Sequence, residues 1–593
     1  MSAKTVADQL IAQLVEVGVR RIYGIVGDSL NPVVDAVRRS GGAAEGGIDW
    51  IHVRHEEAAA FAASAEAQTT GELAVCAGSC GPGNLHLING LYDANRSGAP
   101  VLAIAAQIPS AQIGMGYFQE THPDRLFVEC SQYCEMVSTA AQAPRVFASA
   151  ITHARSAPGV AVVTLPGDVA EEEPAAESPT IPSAGRPTLV PAAADVQAFA
   201  DAVNDARRIA VFAGAGVRDA REQLLRFADL VGAPMGHTLR GKEWIQYDNP
   251  FDVGMTGLLG YGAAHDGMHG ADLLVLIGTD FPYDQFLPKD VRTVQIDTAA
   301  ERIGRRTDVD IAVHGDAAAA LDALIPLVRR KEDRTFLEKT LDRHHTLMSK
   351  VVGAYTDAAK QRTPIHPEYA ASVLDSVLAD DAIVTADTGM CNVWAARYVW
   401  PNGRRRFLTS ALHGSMANAL PHAIGAQFAD ADRQVVSVSG DGGLSMLLGE
   451  LITVAMYRLP VKIVVFDNST LGMVKLEMLV DGLPDFGVDV PSVDYAAVAA
   501  ALGLYSVRVE RPEDIESGFR RALEHDGPAL VDVVTDPRAL SLPPSITGAQ
   551  VGGFALAMSK MVMNGGVGEA VAMARSNLRN VPLPSQFDPR GRP

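Results

Sequence analysis

Residues 440–468 constrain the fold of this chain more than any other stretch. They read GDGGLSMLLGELITVAMYRLPVKIVVFDN and follow the apolar run 435–439. The pattern predicts a strand that delivers Gly-Asp-Gly to a turn, a helix over about 444–457, and a second strand that ends at Asn468. The ends of two such strands share one sheet edge, where open α/β sheets bind ligands.

Oxygen-bearing side chains are expected at that edge. Asp441 and Asn468 can approach one cation there, and a hard cation such as Mg²⁺ takes oxygen ligands. Gly442 and Gly443 let the backbone come close to a bulky anion, and the helix N-terminus favours negative charge. An ordinary strand–helix–strand unit with a glycine turn and one solvated Asp explains the spacing about equally well.

Alternating helix and strand patterns recur along the whole chain. Three blocks, 1–180, 190–335 and 365–540, each predict an α/β domain with a doubly wound parallel sheet. A chain of 593 residues is also too long for a single core. Residues 175–190 are rich in Pro, Ser and Ala and are typical of a linker.

The final stretch, 541–593, differs in kind from the three blocks. Phe554, Met558, Met561 and Val562 recur at helical spacing and predict an amphipathic helix. Such a helix either packs on its own protein or lies in a membrane interface. No apolar run reaches 18 residues, and the N-terminus is typical of a helix capped by Thr5 rather than a signal peptide. We therefore expect a cytoplasmic protein.

Charge and cysteine content exclude other classes. A formal net charge of −20 argues against nucleic-acid binding, which needs a basic surface. The five cysteines include two C-x3-C pairs, but no further Cys or His completes a familiar zinc spacing. We expect buried, reduced thiols.

Glu56 opens an alanine-rich helix in the first block. A carboxylate in the first turn of a helix is favoured by the helix dipole without any further role. The composition AAAFAASAEAQ nevertheless predicts a closely packed helix, so Glu56 should be shielded. A shielded carboxylate can hold or donate a proton near neutral pH.

Strand ends in the middle block carry a weak nucleotide signal. The strands 209–213 and 273–277 run into Gly-Ala-Gly and Gly-Thr-Asp, and a third ends at Asp297. Acids at such a position bind ribose or ribityl hydroxyls. Arg240 and Lys242 are interpreted either as contacts of a diphosphate or as a solvated surface pair.

Several segments together carry a family resemblance. They are RHEEAAAFAASAEAQ, GYFQETHP, RGKE, YDNPFDVGMTGL, HGSMANALP and GDGGLSML. From residue 5 to about 578 the chain resembles the quinone-linked pyruvate dehydrogenases and pyruvate oxidases, which belong to the thiamine-diphosphate-dependent enzymes. The resemblance implies oxidative decarboxylation of pyruvate to acetate and CO₂, with electrons passing through FAD to a membrane quinone. An oxygen-dependent oxidase, an acetolactate-forming carboligase and a non-catalytic flavin- or lipid-binding scaffold are the alternatives.

The resemblance also implies roles for individual residues. Glu56 would activate thiamine diphosphate, and the pyruvate carboxylate would face Asp28 and Ser29. The other implied catalytic or substrate-lining residues are His86, Phe118, Gln119 and Met473. Mg²⁺ would be held by Asp441, Asn468 and Thr470. Further thiamine diphosphate contacts would come from Gly414, Ser415, Met416, Gly442, Gly443, Ser469, Leu471, Gly472, Met473 and Val474. FAD would be held by Met255, Thr256, Gly257, Leu258, Gly278, Thr279, Asp280, Phe281, Pro282 and Asp297.

Assembly and membrane attachment follow only from the same resemblance. It implies a cofactor held between two chains, hence a homodimer at least and a homotetramer by preference. It also implies that residues 541–593 mask the site until the flavin is reduced and then bind phospholipid at the inner face of the membrane. Met473 stands where relatives carry Phe, and residues 581–593 extend past their usual end, which leaves the details of that activation open.

Overall fold

The computed structural model describes residues 4–181, 187–358, 361, 363–541, 556–560, 571, 573, 576 and 577. Three parallel-stranded sheets follow one another along the chain, each covered by helices. The predicted fold class of three α/β domains is confirmed. No helix among the described residues combines the length and the apolar character needed to cross a bilayer.

The first domain contains a six-stranded parallel sheet. Its strands are β1 (Arg21–Gly24), β2 (Asp49–His52), β3 (Ala74–Gly78), β4 (Val101–Gln107), β5 (Tyr133–Met136) and β6 (Val160–Pro166). Its helices are α1 (Val6–Glu16), α2 (Asn31–Ser40), α3 (Glu56–Thr70), α4 (Pro82–Ser97), α5 (Pro123–Leu126), α6 (Ala143–Ser156) and α7 (Gly167–Glu171). The strand order is β2-β1-β3-β4-β6-β5.

The middle domain contains a seven-stranded sheet. Its strands are β7 (Ile209–Ala213), β8 (Met235–His237), β9 (Asp252–Met255), β10 (Tyr261–Gly262), β11 (Leu273–Ile277), β12 (Arg292–Asp297) and β13 (Ile311–His314). Its helices are α8 (Ala193–Asp205), α9 (Arg221–Val231), α10 (Lys242–Ile245), α11 (Ala264–Gly270) and α12 (Ala317–Leu324), with α13 (Thr335–Lys350) as the connection to the third domain. The order is β10-β9-β8-β7-β11-β12-β13, and only the β9–β10 hairpin is antiparallel.

The third domain repeats the architecture of the first. Its strands are β14 (Ile383–Ala386), β15 (Arg406–Thr409), β16 (Val435–Gly440), β17 (Lys462–Asp467), β18 (Tyr505–Val509) and β19 (Ala529–Val534). Its helices are α14 (Pro367–Val377), α15 (Met390–Tyr398), α16 (Ala419–Ala429), α17 (Asp441–Met446), α18 (Glu450–Met456), α19 (Gly472–Val480), α20 (Tyr495–Ala501) and α21 (Ile515–Leu523). The order β15-β14-β16-β17-β19-β18 is the order of the first sheet, strand for strand.

The first and third domains pack through α3 and α16. A Cβ added to Gly425 would lie 2.0 Å from the carbonyl oxygen of Ala62, so the two helix backbones cross too closely for any side chain at that position. The run of alanines in α3 is buried almost throughout, as its composition predicts. The close crossing of α3 and α16 therefore fixes the position of α3 relative to the third domain.

The helix predicted over 444–457 is instead two short helices. The first, α17, begins at Asp441 and ends before Leu447, and α18 begins after Gly449. The break is useful, because it directs the buried carboxylate of Glu450 towards the first domain. Periodicity alone could not predict it, since the apolar pattern continues across the break.

Candidate active site

The carboxyl end of β16 presents a buried acid for which the described part of the chain provides no ion pair. Asp441 is 2% exposed, and its Oδ2 has no hydrogen-bond partner among the residues that the structure describes. Burial, and then the charge of Asp467, raise the pKa of Asp441 to about 7. The nearby cation Arg508 pairs with Asp467, with Nη1 3.5 Å from Oδ2, and not with Asp441. A cation would satisfy this carboxylate.

The other two predicted cation ligands follow the neighbouring strand. Asn468 comes directly after β17, and its Oδ1 accepts a hydrogen bond from Thr470 N at 3.1 Å. Ser469 holds a left-handed φ of 51° in this tight turn. Antiparallel bonds from Leu471 N to Val488 O and from Val490 N to Ser469 O, 2.7 and 3.0 Å, fix the turn. The three oxygen donors fit a hard cation.

The two glycines after Asp441 are closely packed by neighbouring side chains, Gly443 most tightly. A Cβ on Gly442 would lie 2.8 Å from Leu471 Cδ2 and 3.6 Å from Met416 Cε. A Cβ on Gly443 would lie 2.0 Å from Asp387 Oδ2. Met416 thus lies beside the turn, where Gly442 is half-buried and Gly443 is buried.

Asp387 is a site residue that the sequence did not indicate. Its Oδ1 accepts hydrogen bonds from Asn418 N and Nδ2 at 3.2 and 3.0 Å, and Asn418 Nδ2 also donates to Ser415 O at 2.7 Å. Ala417 between them holds a φ of 66°. Burial raises the pKa of Asp387 to about 7. The pair Asp387 and Asn418 therefore holds the loop that carries Met416.

The same loop reaches the first domain. Gly414 is exposed with a φ of 73°, and Ser415 Oγ accepts a hydrogen bond from Asn89 Nδ2 at 2.8 Å. Asn89 Nδ2 also donates to Glu57 Oε1 at 2.6 Å, and its Oδ1 lies 2.7 Å from His413 Nε2. Asn89 therefore joins the first domain to this loop of the third, and Glu57 accepts from Asn89 within the first domain.

Glu56 begins α3 and is shielded, with 7% of its surface exposed. Its Oε2 lies 2.9 Å from Nδ1 of His86, and the ring of His86 stacks on that of His55 at 4.3 Å. Burial lowers the pKa of His55, with a further contribution from His86. The arrangement joins a buried carboxylate to an imidazole that is partly open to solvent, which is suited to proton transfer.

Glu450 positions the backbone in front of Glu56. Its Oε1 accepts from Arg54 N at 2.9 Å and from His55 N at 3.0 Å, and Thr453 donates to its other oxygen at 2.7 Å. Burial raises the pKa of this acid. Nothing in the sequence links Glu450 to residues nearly 400 positions earlier, so only the folded chain reveals this contact.

The predicted substrate loops meet at the carboxyl edge of the first sheet. Ser29 Oγ lies 2.9 Å from Ser79 Oγ and accepts from Cys80 N at 3.0 Å, while Asp28 is exposed. Cys80 Sγ donates to Gln119 at 3.5 Å, and Gln119 holds a φ of 62°. Phe118 points outward, 78% exposed. Ser29 and Gln119 thus both contact Cys80, and Phe118 projects from the loop that carries Gln119.

The loops predicted to hold a flavin come together in the middle domain. A Cβ on Gly257 would lie 3.0 Å from the ring of Phe281, and a Cβ on Gly278 would lie 2.6 Å from Gly216 Cα. Thr256 Oγ1 is buried and has no partner in the described part of the chain. Leu258 is 40% exposed. An unpaired hydroxyl in a glycine-lined cleft fits a polar ligand.

The two acids predicted to hold the flavin, Asp297 and Asp280, differ in their surroundings. Asp297 ends β12, is 6% exposed, and accepts from Ala299 N at 2.9 Å, and burial raises its pKa. Its location fits a hydroxyl of a bound nucleotide. Asp280 pairs with Arg305 and with Arg306 at 3.0 Å. Thr279 is buried, Met255 is buried in a core cluster that it shares with the third domain, and Pro282 is exposed.

The interpretation of Arg240 and Lys242 as a solvated surface pair was wrong, and the ammonium of Lys242 binds carbonyl oxygens of the protein instead of facing an anion. Arg240 Nη2 donates to Ser97 O of the first domain at 2.9 Å. Lys242 is 3% exposed, and its Nζ donates to carbonyl oxygens of the third domain, those of Ala396 and, at 2.6 Å, Val399. Both cations join domains, and neither is a solvated surface residue.

Two cysteines contact site residues: Cys80 bonds Gln119, and Cys391 Sγ donates to the carbonyl oxygen of Asp387 at 3.5 Å. All five are unpaired, and four of them are buried. Burial raises the pKa of Cys130 to about 12 and that of Cys134 to about 11, which keeps both as thiols.

The described part of the C-terminal stretch packs beside the cation loop. Ala557 and Met573 are buried against Leu476 and Leu479 of α19, and Met558 adds partial cover. Lys560 Nζ donates to Gly482 O at 2.8 Å. The stripe residues Phe554, Met561 and Val562 lie outside the described residues.

Helix α19 also carries two residues predicted to contact the cofactor. Met473 is half-buried in the core of the third domain, while Val474 is 38% exposed.

Comparison with known proteins agrees with this site. Residues 4–126, 196–324 and 387–533 match the N-terminal TPP binding, central and C-terminal TPP binding domains of thiamine pyrophosphate enzymes. A putative thiamine pyrophosphate-containing protein, YdaP of Bacillus subtilis, is 36% identical over 94% of this chain and 96% of its own length.

Two further relatives are about equally similar to this chain. A pyruvate oxidase of Lactiplantibacillus plantarum is 31% identical over 88% of this chain and 87% of its own length. A probable acetolactate synthase large subunit of Methanococcus aeolicus is also 31% identical, over 91% and 93%. Three domains match the family, and YdaP is 36% identical over 94% of the chain, so the chain belongs to the thiamine pyrophosphate enzyme family.

Proposed function

We propose that this protein oxidises pyruvate and passes the electrons to a membrane quinone. Pyruvate, water and quinone would give acetate, CO₂ and quinol, with two electrons and two protons moving to the quinone. Bound thiamine diphosphate supplies the electron sink for decarboxylation, and FAD supplies a two-electron acceptor.

The proton chemistry is assigned to Glu56. Its buried carboxylate exchanges a proton with the aminopyrimidine end of the cofactor, and His86, at 2.9 Å, connects it to solvent. Glu450 prevents the start of α3 from moving when this proton is exchanged, because it holds the backbone at Arg54 and His55. A proton donor fixed in this way loses little energy to reorganisation.

The anion end of the cofactor is assigned to the third domain. Asp441, Asn468 and Thr470 would hold Mg²⁺, and the backbone at Gly442 and Gly443 would receive the diphosphate. The unpaired, buried Oδ2 of Asp441 supports this assignment. Asp387 and Asn418 keep Met416 beside the same glycines.

FAD is assigned to the cleft of the middle domain. The loops around Gly257 and Gly278 pack closely on Phe281 and Gly216, and the Thr256 hydroxyl, which has no partner among the described residues, and Asp297 offer polar contacts there. These residues lie at carboxyl ends of neighbouring strands, where nucleotides bind in doubly wound sheets.

The observation that carries the quinone-linked proposal is the packing of the C-terminal stretch on α19. Ala557 and Met573 cover Leu476 and Leu479, in the helix that begins two residues after the predicted cation ligand Thr470. Release of this stretch would expose apolar residues on both partners. It would thereby couple the state of the site to attachment at the inner face of the membrane.

The quaternary structure is part of the same proposal. Several large apolar side chains near the predicted site are exposed on a single chain, including Met115, Phe118, Met446 and Phe486. Exposed apolar groups of this size mark interaction surfaces. We assign them to contacts between copies of the chain in a homodimer or homotetramer.

A second candidate is an acetolactate-forming carboligase. The acetolactate synthase of Methanococcus aeolicus supports it, since that relative is as similar as the pyruvate oxidase. A pyruvate oxidase that uses oxygen as the acceptor is the third candidate.

Product analysis separates these candidates. The protein loaded with thiamine diphosphate, Mg²⁺ and FAD is supplied with pyruvate and either a soluble quinone or oxygen. Our proposal expects one acetate per CO₂, with faster turnover on the quinone. Acetolactate as the main product would overturn it in favour of the carboligase, and peroxide formed at the faster rate would favour oxygen as the acceptor.

A further inference from the structure

The segment 240–243 connects the middle domain to both neighbours. Arg240 reaches Ser97 O in the first domain, and Lys242 reaches two carbonyl oxygens in the third. Glu243 Oε2 accepts from Arg406 Nε at 3.0 Å. The segment also begins beside the flavin cleft, because a Cβ on Gly241 would lie 2.7 Å from the carbonyl oxygen of Ala213 at the end of β7.

The contact at the end of α15 is reciprocal. Lys242 of the middle domain donates to Ala396 O and Val399 O, and Arg397 of the third domain donates back to Gly260 O at 2.8 Å and Leu259 O at 3.2 Å. Each domain thus gives one cation to backbone carbonyls of the other. We call Lys242, Arg397 and these four carbonyls the α15 brace.

Both cations of the α15 brace are deeply buried. Lys242 is 3% and Arg397 4% exposed. Burial lowers the pKa of Lys242 to about 7, while the carbonyl oxygens and the faces of Tyr261 and Trp400, 5.6 and 5.3 Å away, favour its ammonium form. Buried cations are costly unless well paired, so the geometry of these contacts is closely constrained.

The helix α15 connects this brace to the cation loop. Its first residue, Met390, packs on that loop, since a Cβ on Gly472 would lie 2.9 Å from Met390 Cγ. Its nine residues span about 13 Å. At the far end, Arg397 holds residues 259–260, which continue the predicted flavin loop 255–258. One rigid element thus extends from the thiamine diphosphate site to the flavin cleft.

We propose that Lys242 and Arg397 are positioning residues that set the flavin relative to thiamine diphosphate and thereby the rate of electron transfer between them. This inference rests on the proposed function, because it requires FAD in the middle domain. Loosening the brace would leave both cofactors bound in their own domains but displaced from each other. A displacement of about 1 Å can lower a rate a hundredfold.

The test measures flavin reduction by pyruvate in Lys242→Met and Arg397→Met under anaerobic conditions. We expect this rate to fall by about tenfold to a hundredfold, while FAD content and thiamine diphosphate affinity change by less than about threefold. Lys331→Met is the matched control. Lys331 Nζ donates to Ala206 O at 2.6 Å at the end of α8, so it makes the same kind of contact inside one domain. This control should reduce its flavin at the wild-type rate.

A second readout does not depend on the flavin. Amide hydrogen exchange over 256–262 in the cofactor-free protein should be faster in both brace variants than in wild type or Lys331→Met. Absence of bound flavin in the wild type would contradict the proposed function, whereas the exchange experiment would still test the brace. Unchanged exchange together with an unchanged rate of flavin reduction would overturn the inference.

Conservative variants protect the test against misfolding. Arg397→Lys keeps the charge but loses the planar fork that reaches two carbonyl oxygens. It should therefore slow flavin reduction less than Arg397→Met does, and still accelerate exchange over 256–262. If Arg397→Lys matches wild type in both measurements, Arg397 is not a positioning residue.

Discussion

Replacing Glu56 with Gln separates proton chemistry from packing. The carboxylate is 7% exposed, and its Oε2 lies 2.9 Å from His86 Nδ1. Gln has nearly the same shape, and its amide oxygen can still accept from His86, so the fold and both cofactor sites should survive. A carboxamide is neither an acid nor a base at neutral pH, so it cannot replace the carboxylate in donating or accepting the proton. We expect turnover to fall by about 10²–10⁴-fold, the usual contribution of a positioned acid–base group, or about 3–5 kcal/mol of transition-state stabilisation.

The assay follows CO₂ release from pyruvate with a soluble quinone, and calorimetry checks that thiamine diphosphate and FAD still bind. Glu57→Gln is the control, since Glu57 accepts a hydrogen bond from Asn89 at 2.6 Å and lies one residue further along the same helix. Its turnover should stay within about twofold of wild type, the change that roughly 0.5 kcal/mol produces. Turnover by Glu56→Gln within tenfold of wild type, with both cofactors bound, would refute the assigned role.

Three further predictions follow from separate parts of the structure. Gly443→Ala should destabilise the protein by about 1–3 kcal/mol and weaken thiamine diphosphate binding, because its Cβ would meet Asp387 at 2.0 Å. Thermal melting and calorimetry check this, and Gly440→Ala, whose nearest neighbour would be Cys391 Sγ at 3.8 Å, should match wild type. Burial lowers the pKa of His344 from 6.5 to about 4, so its neutral form stabilises the fold above pH 6.5, and stability is lost as the pH falls towards 4. In His344→Gln the free energy of unfolding should fall less over that interval, by up to about 3 kcal/mol less than in wild type, and the melting temperature should follow it. If the two proteins lose stability equally as the pH falls, His344 is not responsible for the loss. Deleting residues 550–593 should abolish flotation with phospholipid vesicles but preserve decarboxylation, and a truncated protein that still floats would exclude this stretch as the anchor.

The sequence indicated most of what depends on local patterns. Alternating helices and strands predicted three α/β domains, and the strand ends around Asp441 and Asn468 were placed correctly because parallel strands share an edge. Glu56 was expected to be shielded, since a helix so rich in alanine can pack closely on several sides. Each of these inferences needs only neighbours in the chain and the geometry of a sheet.

What the sequence did not indicate depends on contacts between distant segments. Glu450 and Asp387 bind backbone groups of other loops, and no periodicity encodes such partners. Arg240 and Lys242 follow His237 at the end of a strand, where they could face a diphosphate, yet their side chains turn towards other domains. Local pattern gave the location of these cations but not the direction in which they point.

Anaerobic mixing of the fully loaded protein with pyruvate tests the central claim most directly. If the protein is a flavin-linked pyruvate-oxidising enzyme, the visible absorption of its flavin disappears as CO₂ is released, and one soluble quinone per flavin restores it. A flavin that stays oxidised while pyruvate is consumed would contradict the account. The electrons would then remain in the organic product, as they do when a carboligase forms acetolactate.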